Sequence, residues 1–141
     1  MSLSNIKSYF RTKLNTLGYK EHDDGFNSEN IASSNLNSAY FIELGDISLE
    51  SHSMSDLSLL ATVNVKVFFK GYRTPKDTID NVIVKGEAIL KSFLNHSDRL
   101  SGNLKDVVLD NMFIEKLSDS NDNSMMLNID LTTKVIMDVL N

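Results

Sequence analysis

The clearest hydrophobic pattern runs through residues 57–94. Leu57, Leu59, Ala61, Val63, Val65, Val67 and Phe69 are apolar, while Ser58, Thr62, Asn64, Lys66 and Lys70 fall between them. A period of two places one set on a buried sheet face and the other towards water. Such a strand spans roughly 40 Å and invites a bend or bulge. Thr74-Pro75-Lys76-Asp77 then predicts a helix start, with Thr74 as N-cap, Pro75 at the first helical position and Asp77 at the third. Beyond it, Ile79, Val82, Ile83, Gly86, Ile89, Leu90, Phe93 and Leu94 recur at three- and four-residue spacing. This predicts one apolar stripe on a helix of about 20 residues. The strand and helix should pack on each other as the core of a layered domain.

The flanking segments read in the same way. Ser4 is a plausible cap, and Ile6, Tyr9, Phe10, Leu14 and Leu17 predict an amphipathic helix over 5–17 that ends at Gly18. Residues 20–38 are rich in Asn, Ser, Asp and Glu and predict a long surface loop, with a helical turn as an option at 28–31. A strand over 39–44 ends at Gly45-Asp46; residues 47–51 either extend it or begin a hairpin arm, and 52–56 form the turn. A polar connection, 95–103, leads to a strand over 106–117. There Val107, Leu109 and Phe113 occupy one face, and Val108, Met112 and Ile114 the other. Residues 118–124 form a polar hairpin loop. Leu127, Ile129, Leu131, Thr133, Val135 and Met137 then alternate along a last strand. The expected order is α-β-β-α-β-β: a single α+β domain over 1–141, with a mainly antiparallel sheet of about four strands on two helices.

Composition narrows the function classes. The 141 residues suffice for a proper core. No apolar run approaches the roughly 18 residues of a membrane helix, and the N-terminus lacks the apolar region of a secretion signal. Without cysteine, disulfides and thiol chemistry are excluded. Outside a secretory context, the sequon Asn95-His96-Ser97 reads as chance. A net charge of −5 weighs against a nucleic-acid binder held by phosphate contacts.

No catalytic set stands out, and no cofactor or metal is expected. His22, His52 and His96 lack metal-ligand spacing, and His22-Asp23-Asp24 reads as a solvated loop rather than a metal site. Asp119-Ser120-Asn121-Asp122-Asn123 resembles the first half of a calcium loop. Its sixth position is Ser124 rather than glycine, and its twelfth is Asp130 rather than a bidentate Glu. A polar turn accounts for it better. Lys66, Lys70, Arg73 and Lys76 gather beside Tyr72 at the strand-to-helix junction. A helix N-terminus with basic neighbours can hold an anion, although a solvated junction is the plainer account. Leu60 and Phe68 interrupt the polar face of the long strand, either as scattered surface apolars or as part of a face that a partner covers. A chain of this kind works more often by assembly than by catalysis.

The order and spacing of these elements resemble one family, the tail terminator (tail completion, or minor tail) proteins of long-tailed bacteriophages. The resemblance rests on the first helix, the long polar loop and the short strand Tyr40-Phe41-Ile42-Glu43-Leu44. It rests also on the long strand ending Val65-Lys66-Val67-Phe68-Phe69-Lys70-Gly71, the Pro75-Lys76-Asp77 helix start, and the closing strand from Leu127 to Val135. It spans essentially the whole chain, in architecture rather than in a signature motif. It implies a non-enzymatic virion assembly protein at the head–tail junction, assembled in the host cytoplasm. Six copies would form a ring that caps the tail tube, ends tail polymerisation and offers a surface for head joining. The implied partners are further copies of the chain, the major tail tube protein, a head-completion or connector protein, and DNA sliding through without specific binding; no membrane is implied. Leu60, Phe68, Lys70, Tyr72, Arg73 and Lys76 are then candidates for the subunit or tail-tube interface, and Asp119 and Asp122 for acids lining the channel. Strand edges at 39–44 and 127–137 are candidate contacts. Lys70, Arg73 and Lys76 do not fit a uniformly acidic bore. The alternatives are a small non-enzymatic binding module, taking an anion at the Thr74 helix start, or another neck or tail component such as a connector or tube subunit.

Overall fold

The computed structural model of the chain describes residues 4–22, 38–71, 73–95, 104–116 and 123–138. In chain order these form α1 (Ser4–Thr16), β1 (Lys20–Glu21), β2 (Ala39–His52), β3 (Asp56–Phe69), α2 (Pro75–Phe93), β4 (Leu104–Lys116) and β5 (Met125–Asp138). The fold is α+β, with two helices on a five-stranded mixed sheet of order β1-β2-β3-β5-β4. The optional helical turn at 28–31, Tyr72, His96, Asp119 and Asp122 lie outside the described residues.

Local chemistry sets the helix ends as the residue types dictate. Gly18 has φ 94° and ends α1, with Tyr19 N–H donating to the Leu14 carbonyl and Gly18 N–H to that of Asn15. Only glycine takes that φ without steric cost, and the paired bonds satisfy the last carbonyls of the helix. Thr74 caps α2 from an extended conformation (φ −124°, ψ 152°), and its hydroxyl accepts the Asp77 N–H at 3.1 Å.

The helices cover one face of the sheet. Ile6, Phe10 and Leu14 of α1 and Val82, Ile89 and Phe93 of α2 are fully buried. Beneath them lie Tyr40 and Ile42 of β2, Ala61, Val63, Val65, Val67 and Phe69 of β3, and Leu127, Ile129, Leu131 and Val135 of β5. Phe10 meets Phe93 edge to face with ring centres 4.8 Å apart, and the Tyr9 hydroxyl donates to the Phe93 carbonyl at 2.7 Å. These contacts tie the two helices to each other. Gly86 lets α2 close onto β5: a Cβ there would stand 3.1 Å from Leu127 Cδ2.

Several expectations need correction. The described residues form five strands, because Lys20 and Glu21 pair in parallel with Ala39 and Tyr40. Two residues are too few to carry a period, so only the backbone bonds reveal them. Of the two readings of residues 47–51, extension holds: β2 runs on to His52, through register shifts between Leu44 and Ile47 and between Leu49 and Ser51. The α2 stripe is narrower than its spacing suggests. Thr78 is buried, whereas Ile79, Ile83 and Leu94 are exposed, and so is Leu17 of α1. In β4 a register shift between Leu109 and Asn111 changes the phase. Met112 and Ile114 lie opposite Ile129 and Leu127, so they share the helix face with Val107 and Leu109; Phe113, opposite Asn128, faces away. Finally, β5 is not an edge. It lies between β3 and β4, which makes β4 the outer strand.

Candidate functional site

The sheet's second face begins with β3. Its even positions lie opposite the even positions of β5, as in the pairs Phe68–Met126, Lys66–Asn128, Asn64–Asp130 and Leu60–Lys134. Polar side chains bond across this face. The Asn64 amide donates to Asp130 at 2.6 Å, Asn128 to Glu115 at 3.4 Å, and Thr132 to Asp110. Lys134 pairs with Glu50 at 2.6 Å, and Ser58 also donates to Glu50. The Lys134 ammonium, through its hydrogen bond and then its charge, holds the Glu50 carboxyl below the ordinary carboxylate value.

The two apolar interruptions of this face differ in kind. Phe68 is 2 % exposed and packs in the row that holds the buried Met126, so it belongs to a covered part of the face. Leu60 is half-buried, eight residues along the same strand. That separation is roughly 26 Å, so the two do not form one patch.

The basic cluster also divides. Lys70, Arg73 and Lys76 are all exposed around the end of β3 and the start of α2. The turn between them is held by β5's leading residues, with Asn123 donating to the Arg73 carbonyl and Gly71 N–H donating to the buried Ser124 hydroxyl. The helix start considered as an alternative anion site is capped by Thr74's own hydroxyl, and Asp77 adds a carboxylate in its first turn. A pocket of about 320 Å³ lies nearby, lined by Leu17, Gly18, Tyr19, Ser38, Phe69, Lys70, Gly71, Asn81 and Lys85. It unites Lys70 with Lys85 and Asn81 and leaves out Arg73 and Lys76. The Tyr19 hydroxyl beside it has its pKa raised by burial.

Sequence reasoning missed the helix-side apolar surface. Ile79, Ile83 and Met112 are 38 %, 52 % and 37 % exposed, and Ile47 and Leu49 are 45 % and 59 % exposed. The first group flanks α2 above β4, where the side chain of Met112 approaches Gly86. The second lies on β2 beyond its first register shift, opposite Ala61 and Leu59. The two-faced apolar pattern of β4 was the available signal. No described strand pairs with the outer side of β4, or with the outer side of β2 beyond Tyr40.

Among the described residues, no three His, Cys, Asp or Glu side chains gather as metal ligands, and no helix is long and apolar enough to cross a membrane. No protein-family model matches the chain, and no curated protein shows a significant match.

Proposed function

We propose that the chain is a ring-forming assembly protein of a phage tail: a terminator that caps the tail tube, stops its growth and offers a surface for head joining. The observation that carries this reading is the pair of unlike sheet edges. β4 forms one edge of the sheet; on the other, β1 covers only Ala39 and Tyr40 of β2, and no described strand pairs with the outer side of β2 beyond them. A closed ring needs two different surfaces on each subunit, because each copy meets its neighbours head to tail. Strand edges with free N–H and C=O groups suit such contacts. The element order that resembles the tail terminators supplies the biological setting. Its partners are further copies of the chain, the tail tube protein and a head-completion protein, with DNA passing through the ring. The test is negative-stain imaging and light scattering of the protein with and without tail tube protein. Rings of uniform diameter capping tube ends are expected; a monomer that leaves tubes uncapped and growing refutes the reading.

A second reading rests on the pocket that brings Lys70, Lys85 and Asn81 together. It is a small binding module for an anionic ligand, there rather than at the Thr74 helix start. Phosphate titration followed by amide NMR should shift Gly71, Asn81 and Lys85; unmoved signals remove it.

A further inference from the structure

Among the described strand pairs, the inner ladder of β3 with β5 runs unbroken from Asp56–Asp138 to Phe69–Met125. The irregularities fall where the strands lack a full outer neighbour. β2 slips against β3 between Leu44 and Ile47 and between Leu49 and Ser51. β4 slips against β5 between Leu104 and Asp106 and between Leu109 and Asn111. The residues left over at these shifts are Gly45 with Asp46, Glu50, Lys105 and Asp110, so each shift carries a charged residue. We infer that these charged bulges guard the open rims of the sheet, and that the one at Asp110 keeps β4 from pairing with another copy of the chain in an open-ended sheet. The inference goes beyond the ring reading and does not depend on it.

The hazard is plainest in β4. The strand is 13 residues long, and no described strand takes up the N–H and C=O groups of its outer side. Its sequence sets Val107-Val108-Leu109 and Met112-Phe113-Ile114 on either side of Asp110-Asn111, and Val108, Met112 and Phe113 are exposed. A long apolar edge is a template for another strand, and uncharged β-forming stretches of about six residues are the ones that stack.

The bulge opposes this in two ways. It breaks the spacing of the ladder and adds twist, so a regular incoming strand fits only one side of it. It also places a carboxylate where pairing would take it out of water. Asp110 is exposed, and the Thr132 hydroxyl donates to its carboxylate, which holds the side chain over the sheet. Glu50 is held in the same manner by Lys134 and Ser58. Inward-turned charges and bulges are both means by which proteins blunt an edge. Bulges collect at rims in any case, but that tendency alone does not select a charged residue at each of them. The guarded rims still offer short regular runs to a neighbour, so they leave room for ring contacts at the edges.

Deletion of Asp110 is the test. Asn111 is opposite Asp130 and Leu109 opposite Leu131, so the deletion makes the ladder regular and leaves every other pair in place. Far-UV circular dichroism and thermal melting check that the variant folds. Light scattering with thioflavin T should show it growing without limit, roughly tenfold faster than wild type, which stays at a finite size. Hydrogen exchange should show amides of 107–114 gaining protection on association while those of β3 keep theirs. Adding Phe113→Lys to the deletion returns a charge to the edge and should restore wild-type behaviour. A folded deletion variant that grows no faster than wild type overturns the inference. So does growth in which β3 loses its protection, because the chain then associates by unfolding. Should the deletion fail to fold, Asp110→Val replaces it, keeping the chain length and removing the charge. It too should grow roughly tenfold faster, and equal rates overturn the inference. Imaging with the tube protein judges the ring reading separately.

Discussion

Gly86 brings α2 close to the sheet, and replacing it tests how tightly the helix is seated. A Cβ at this position would meet Leu127 Cδ2 at 3.1 Å and Cδ1 at 3.8 Å, with Met112 Sδ at 3.9 Å. Leu127 is 1 % exposed and has little room to yield. Two effects compete. Intrinsic helix propensity favours valine over glycine by a few tenths of a kcal/mol and alanine over glycine by about 1 kcal/mol. Overpacking a close-fitting core costs about 1–3 kcal/mol. Gly86→Ala should therefore be near neutral, while Gly86→Val, with two further methyl groups against β5, should lose about 2 kcal/mol. For a domain with an m-value of about 1–3 kcal/mol per molar urea, that loss lowers the urea midpoint by roughly 1 M. Equilibrium unfolding followed by far-UV circular dichroism measures it. The sharper check is the double variant with Leu127→Ala, which alone should cost about 2–5 kcal/mol by leaving a cavity. The valine methyls enter that cavity, so the double variant should lose less than the sum of the single losses by at least about 0.5 kcal/mol. Additive losses, or a Gly86→Val chain as stable as wild type, would refute the close approach.

Three further outcomes follow from the same structure. Tyr9→Phe removes the hydroxyl that donates to Phe93 and should cost about 1 kcal/mol in urea unfolding; no change would mean that the bond does not join the helices. Thr74→Ala removes the α2 cap and should also cost about 1 kcal/mol, with Thr74→Ser retaining most of it and a thermal melt as the measurement. Glu50 titrates below its ordinary value of 4.5 because of Lys134. A lowered folded value means that the pair's contribution is present above that pH and is lost as the pH falls through the folded value. Lys134→Met should therefore flatten the acid limb of the stability–pH curve, and an unchanged limb would rule out the pairing.

Much of the fold was legible because it depends on local rules. The alternation through Val63, Val65 and Val67, the Thr74-Pro75 start and the glycine stop at Gly18 all act within a few residues of the chain, and all three hold. What was illegible depended on neighbours. The phase change in β4 appears only where Met112 and Ile114 are matched to β5. The exposure of Ile79 and Ile83 appears only once α2 overlies β5 and leaves its β4 side uncovered. The basic residues around Lys70 looked like one cluster, yet the pocket joins only Lys70 to Lys85 and Asn81, residues of α2 more than ten positions away.

The sequence by itself determined the longer strands and both helices, because propensity, period and capping are set by residues close in the chain. Tertiary structure alone decided strand order. That order placed the strongly alternating residues 127–137 inside the sheet and β4 at its rim. A hairpin can add to a sheet by either of its strands, and both choices satisfy the same local pattern. In the order found, α2 packs over β5, where Gly86 lies against Leu127. With that order the outer edge lies at β4 rather than at the last strand.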